Sequence, residues 1–475
     1  MSGTVRRALR VLLLLIPGVT YVWIALHWQR QGISPQTGDE PHYLVIADAI
    51  KVDRSLDVRK AYARDAITRR AYGPVDWENH TRTTARGVYS LHSPGLSAYI
   101  AIPFEKYGVT GARVALAVLA GLVPLLFYRI ARTLAVGQVE SVGLALAASV
   151  SLPFLAAAGQ IFPDLPSGVL LLALTALLLR VSAARTVSEA PLLSIGLVAS
   201  VLPWLHVKHI APAVIFSGAA LLVAARRDWL TRARGLEILV PVGGSLALLA
   251  GYHVFAFGTL AGPFMSDLVG GATMGQAGMA ILGLHLDQAQ GIFLHQPLFL
   301  LGWVGLAVAY RSSPGLVAPV ALAYGAILLA NAVHFDTYGG LAIGGRFMWP
   351  IAALWFVPMA ILYRELSARG RRVVWGFCGA SIAWQVFLMS RWIPSGTGPL
   401  RLVRSPNLAE RNSYFPAGIR DWLPSFYDPH DWLSHPQNLW WIIGVAGLGF
   451  VGVAIADRLS PGRGKRVIDK PGTLP

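Results

Sequence analysis

The chain is 475 residues long, 55% hydrophobic and only 13% charged, with a mean hydropathy of +0.54. A soluble domain carries roughly a quarter charged residues, so this composition excludes one and fits a polytopic membrane protein. The net charge of +16 does not point to nucleic acid, because Lys and Arg recur between apolar segments instead of forming one basic tract or stripe.

In chain order, apolar runs of membrane-spanning length fall at 8–28, 110–131, 137–158, 164–180, 190–206, 209–225, 236–257, 290–309, 314–333, 346–363, 373–393 and 438–456. The expected fold is therefore all-α, with about 12 transmembrane helices. The first run reads as a span and not as a cleaved signal, being long and lacking a small-residue cleavage site. The lone Cys378 lies inside the run 373–393, so neither an internal disulfide nor a cysteine zinc site is available.

Positive charge sorts the loops. Arg6, Arg7 and Arg10 flank the first run, Arg458, Arg463, Lys465 and Arg466 follow the last, and Arg129, Arg132, Arg180, Arg185, Arg226, Arg227, Arg232, Arg234, Arg311, Arg369, Arg371 and Arg372 fill loops on the same side. The short loops opposite hold almost no positive charge beyond Lys208 and Arg346. By the positive-inside rule both termini are expected in the cytoplasm of a multi-pass inner (plasma) membrane protein.

The expected organisation is a transmembrane catalytic region over 1–393 with a long first extracytoplasmic loop at 29–109, an extracytoplasmic segment at 394–437, a last span at 438–456 and a cytoplasmic tail at 457–475, disordered on its basic, Gly- and Pro-containing composition. The first loop opens with Thr37-Gly38-Asp39-Glu40-Pro41-His42-Tyr43-Leu44, two adjacent carboxylates in a chain where charge is scarce. Asp39 suits a helix N-cap and Pro41 a first helical turn. Tyr43, Ile46, Ala47 and Ile50 then form a stripe expected to lie in the outer membrane interface, and Leu96–Phe104 is too short to span and is expected to dip or lie flat.

The polar residues with chemical potential fall mostly on the outer side of this topology. They are Asp39 and Glu40; His92 in Ser90-Leu91-His92-Ser93-Pro94; Asp164 between Pro163 and Pro166; Lys208 and His209 in a tight turn; Asp287, Gln290 and His295; and His334, Asp336, Tyr338 and Arg346 near a Gly-rich turn. Such convergence points to an outward-facing pocket. Each has a bland alternative: a helix cap for Asp39, Glu40 and Asp164, an interfacial snorkel for Lys208, an interfacial anchor for Arg346, and satisfied polar residues for His92 and His209. No HExxH or other tight metal-ligand spacing occurs among the 12 histidines. Whether Asp39, Glu40 and Asp164 hold a divalent cation is left open at this level.

The ordered set of Gly38-Asp39-Glu40-Pro41-His42-Tyr43, the Pro163-Asp164-Leu165-Pro166 turn, Lys208-His209, the run Leu286 to Pro297, and Tyr338-Gly339-Gly340 leading into Gly345-Arg346-Phe347-Met348-Trp349-Pro350 resembles the GT-C class of membrane glycosyltransferases, with the bacterial protein-mannosyltransferase-like and aminoarabinose-transferase-like enzymes nearest. The resemblance covers roughly residues 1–365, and its most specific piece is 38–43; residues 394–437 resemble nothing we can name. It implies transfer of a sugar from a polyprenyl-phosphate donor at the outer membrane face to a lipid, glycan or protein acceptor. It also implies catalytic roles for Asp39 and its neighbour Glu40, donor-phosphate contacts at Lys208 and Arg346, with His92 and His209 beside them, and an acidic second-loop residue at Asp164; Asp287, Asp336 and Tyr338 join the candidate substrate or metal contacts. One departure concerns the donor: aminoarabinose transferases carry Lys-Pro near the end of the first loop, where this chain has His92-Ser93-Pro94.

Chemistry reaches similar roles independently. A lipid phosphate leaving group needs charge neutralisation, which suits Lys208 and Arg346, and an acceptor hydroxyl needs a base, which suits Asp39. One direct displacement inverts the anomeric centre. Two other readings fit the same composition: a transporter or flippase of lipid-linked sugars, which more often has midplane binding residues on broken helices in two related halves, and an O-antigen polymerase or ligase, whose large outer loop usually comes late in the chain.

Overall fold

The computed structural model describes residues 3–32, 36, 38–73, 75, 77–264, 273–288, 290–333, 342–343, 345–392, 400–401, 417–426 and 435–459. Among these, ten helices are long and apolar enough to cross a membrane. The first is α1 (Gly3–Arg30), and the last runs Pro436–Leu459. Between them lie α2 (Glu40–Asp48), α3 (Arg59–Thr68), α4 (Gly95–Ala120), α5 (Val123–Thr133), α6 (Gln138–Ser149), α7 (Leu152–Leu155), α8 (Asp164–Ala183), α9 (Leu192–Leu205), α10 (Ile210–Ala225), α11 (Arg232–Phe257), α12 (Met274–Leu286), α13 (Ile292–His295), α14 (Leu300–Ser312), α15 (Pro314–Ala332), α16 (Trp349–Ala352), α17 (Phe356–Glu365) and α18 (Ala368–Trp392).

Two of the 12 expected spans do not form such helices. Over 137–158 the chain leaves helical space at Val150 (ψ 64), so α6 has 12 residues, about 18 Å at 1.5 Å per residue, short of a bilayer core of about 30 Å. Over 290–309 the helix breaks at Gln296 (φ −140, ψ 77), because Pro297 drives the residue before it out of the helical region. The segment 96–104, expected to dip or lie flat, falls in the first part of α4, which the non-helical backbone of Gly108 (φ 60, ψ −151) separates from the part that follows.

The first loop is a folded lobe. Its hairpin pairs β1 (Thr81–Thr84) with β2 (Gly87–Ser90), Thr81 opposite Ser90. Asp57 anchors the lobe by accepting from the backbone N–H groups of Arg59 (3.1 Å) and Val88 (3.2 Å). Arg64 grips both carboxylate oxygens of Asp53 at 3.2 and 2.8 Å and also reaches Asp48. The expected interfacial face of α2 is a correction: every residue from Glu40 to Ala47 is buried, so the helix packs on all sides instead of presenting a polar face to water. Ser97 of α4 fixes it by donating to the Tyr43 carbonyl at 2.8 Å.

The second part of the expected outer surface is described only in short pieces. Residues 423–426 are stitched to the last helix, where Asn438 exchanges two hydrogen bonds with the Ser425 backbone at 2.7 and 2.6 Å, and to the turn before α13, where Gln288 N–H donates to the Pro424 carbonyl at 2.9 Å.

Candidate active site

The centre of the site is built where three helix starts converge. Asp39 immediately precedes α2, Asp164 opens α8, and Arg346 opens the 3₁₀ turn Arg346–Met348 that leads into α16. Gly168, one turn into α8, permits this: a Cβ there would stand 2.7 Å from the Trp349 carbonyl oxygen, so only glycine lets α8 and α16 approach this closely. Gly345 turns the chain in a left-handed conformation (φ +81) that favours glycine, and the buried Gln290 side chain accepts its N–H at 2.8 Å.

Arg346 then bridges two acids. Its Nη2 stands 2.6 Å from Asp39 Oδ2 and its Nε 3.1 Å from Asp164 Oδ2, while the guanidinium plane lies 3.7 Å over the Phe162 ring. Lys208, in the 3₁₀ turn Val207–His209 between α9 and α10, continues the chain of charges with Nζ 2.9 Å from Asp164 Oδ1 and 3.3 Å from Asn331 Oδ1. Signs alternate as Asp39, Arg346, Asp164, Lys208. Each charge is compensated by its neighbours, which is the condition for keeping four ionised groups in a poorly hydrated place.

Accessibility distinguishes the two acids. The Asp39 side chain is 24% exposed and that of Asp164 only 2%, so Asp39 forms the mouth and Asp164 the foundation. Asp39 is expected as an N-cap, yet its side chain makes no cap hydrogen bond, and its carboxylate faces Arg346 instead. Burial alone would raise its pKa, but Arg346, with His92 and His80 in support, holds it well below the usual carboxylate range. Asp39 is ionised at any physiological pH.

Histidines border the mouth. His80 ends the 3₁₀ turn before β1, and His92 follows β2; their facing nitrogens, Nδ1 and Nε2, are 3.1 Å apart. His42, on α2, stacks on His80 with ring centroids 3.8 Å apart and shares a 2.6 Å hydrogen bond with the Tyr62 hydroxyl. Burial lowers the pKa of His92 to about 4, although Asp39 pulls the other way. Burial, reinforced by His80 and His92, lowers that of His42 to about 3. On the Lys208 side, burial and then Lys208 itself lower His206 to about 3. The His42, His92 and His206 rings are neutral at pH 7, so they offer hydrogen bonds or lone pairs, not cationic charge.

The remaining sequence candidates divide. Glu40, adjacent to Asp39 in the chain, points elsewhere: its carboxylate accepts from the Ile161 N–H at 2.7 Å and lies 4.0 Å from buried Arg113. It ties the start of α2 to the loop before α8. His209 is fully buried next to Lys208, and neither ring nitrogen has a hydrogen-bond partner among the described residues. Asp287 accepts from the N–H groups of Phe426 (2.9 Å) and Gln290 (3.2 Å), so it holds the later segment in place. Asp336 and Tyr338 lie outside the described residues.

Sequence reasoning missed His42, His80, Phe162, His206, Asn331 and the Glu40–Arg113 pair. For His80 a cue existed: Thr-rich 81–84, Arg86-Gly87 and Val88-Tyr89 form a hairpin pattern that places residues 80 and 92 near the same end. Asn331 and Phe162 carry no such cue, since they meet the site only through packing of α15 and of the loop before α8.

The described helices and their arrangement are those of a polytopic, ten-span helical membrane fold, and that fold has a counterpart among solved structures. The crystal structure of ArnT from Cupriavidus metallidurans in the apo state matches it with a TM-score of 0.50 at 14% identity, over 97% of this chain and 78% of ArnT. No protein-family model and no curated protein sequence matches the chain.

Proposed function

We propose that this protein is an integral-membrane glycosyltransferase that moves a sugar from a polyprenyl-phosphate donor to an acceptor hydroxyl or amine on the extracytoplasmic face, with both termini in the cytoplasm. The observation that carries this reading is the 2.6 Å pair of the accessible Asp39 with Arg346, backed by Asp164 and Lys208. The match to ArnT, an aminoarabinose transferase of the GT-C class, supports it at the level of fold.

Asp39 takes the proton from the acceptor as its oxygen or nitrogen forms the new bond to the anomeric carbon. The bond from that carbon to the phosphate oxygen breaks on the opposite face, inverting the centre, and the electron pair leaves with the polyprenyl phosphate. Arg346 and Lys208 neutralise that charge, Arg346 being suited by its planar fork to grip two phosphate oxygens. Donor binding also primes the base: a phosphate that draws on the Arg346 guanidinium weakens its hold on Asp39, and the carboxylate regains basicity when the donor is in place. His92, being neutral, serves as a hydrogen-bonding neighbour and not as a third cation.

The test in cells is mass spectrometry of extracted envelope lipids and glycans with and without the gene. Deletion is expected to remove one glycosylated species, restored by the wild-type gene and not by Asp39→Asn. An unchanged profile across all envelope fractions, under conditions where the protein is expressed, would count against transfer as its activity.

A further inference from the structure

We propose that Asp39, His80 and His92 form a binding site for a divalent transition-metal ion of the zinc type at the mouth of the pocket. One ligand atom from each of these three residues lies within 4.8 Å of the other two, a grouping found nowhere else among the described residues. The metal option the sequence left open involved Asp39, Glu40 and Asp164. Geometry rejects that set, because Glu40 is bonded to the Ile161 N–H and Asp164 is held between Arg346 and Lys208.

The two imidazoles are placed by backbone, not by chance contact. His80 and His92 stand at the open end of the β1–β2 hairpin, where the Leu91 N–H donates to the His80 carbonyl at 2.9 Å and the His92 N–H donates to Ser90 Oγ at 3.1 Å. Their facing nitrogens are 3.1 Å apart. Two nitrogens bound tetrahedrally at 2.0–2.1 Å from one zinc ion stand roughly 3.3 Å apart, so little movement is needed to admit the ion. Stacking on His42, itself held by Tyr62, fixes the His80 ring. Arg346 bonds Asp39 Oδ2, an outer contact of the kind that orients a ligating carboxylate while its second oxygen serves as ligand.

Two nitrogens and one carboxylate oxygen favour a borderline ion such as zinc over magnesium or calcium, which prefer all-oxygen shells. Three protein ligands leave a fourth position for water or substrate, the pattern of open zinc sites. Resting on the glycosyltransferase reading, that position faces an anionic donor group or the acceptor heteroatom, and the ion adds positive charge where Arg346 already stands.

The full-length protein, purified without a polyhistidine tag and stripped with chelator, tests this by zinc titration against a chromophoric competitor, with no donor or acceptor present. One equivalent is expected to bind, with affinity about 100-fold weaker in His80→Ala and in His92→Ala and largely kept in His80→Cys, which restores a zinc ligand. Cobalt substitution of the wild-type protein is expected to give the intense visible bands of a tetrahedral site, a readout that needs no variant to fold. Absence of stoichiometric zinc binding to the wild-type protein, or binding to both alanine variants as tight as to the wild type, would overturn the site. Because the titration involves no sugar transfer, its failure leaves the enzyme reading standing, and failure of transfer leaves the metal site standing.

Discussion

Purified Asp39→Asn protein is expected to lose transfer by about 10²–10⁴-fold while remaining monodisperse, because the amide keeps the shape and one hydrogen-bond acceptor toward Arg346 but removes the basic oxygen. The neighbouring Glu40→Gln gives the contrast. Glu40 holds the Ile161 N–H and compensates buried Arg113, so its change is expected to lower the melting temperature more than it lowers turnover of the protein that stays folded. Comparable catalytic loss in both variants at matched folding would mean that the acidic pair acts as a unit and that the division of labour is wrong. The pH profile adds a second check. Since Arg346 depresses the Asp39 pKa, the stabilisation from this pair is complete above the unfolded carboxylate value of ~4 and disappears only as pH falls through the depressed folded value. In the donor-free protein, no titration of Asp39 is therefore expected between about pH 5 and pH 8.

Arg346→Gln is expected to have the other large effect, on donor use and on folding together. Its removal leaves Asp39 and Asp164 without the cation between them, and breaking a buried charge pair costs about 3–5 kcal/mol. Arg346→Lys is not expected to restore activity: an ammonium cannot span both carboxylates or grip two phosphate oxygens, and it stacks less well on Phe162. Lys208→Gln leaves Asp164 one of its two cations and is expected to be the milder change in melting temperature and in donor KM. Near-normal donor use by Arg346→Gln, measured as kcat/KM over donor lipid, would remove Arg346 from the phosphate site.

Much of this architecture is legible in the sequence because membrane spans are long and their signal is compositional. The limits are equally physical. A hydropathy window counts apolar residues and does not see that Pro297 forces Gln296 out of helical space or that α6 ends at Ser149. The stripe on α2 is present, but the other face of that helix is covered as well, and nothing local distinguishes a helix lying on a membrane from one buried under a folded lobe. At the site, Asp39, Asp164, Lys208 and Arg346 stand out because charge is rare in an apolar chain. Their pairing does not: it depends on α8 and α16 touching at Gly168, a contact 181 residues apart in the chain. Glu40 shows the converse, since adjacency to Asp39 in sequence does not imply adjacency of function when successive side chains on a helix start diverge by about 100°.

The most direct measurement is transfer by detergent-purified protein offered two donors side by side, a polyprenyl-monophosphate sugar and the corresponding nucleotide sugar, with envelope lipid extract as acceptor source. The expected result is product from the polyprenyl-linked donor alone, with release of polyprenyl phosphate, inversion at the anomeric carbon and loss of product in Asp39→Asn. Transfer from the nucleotide sugar without any lipid intermediate would contradict the account.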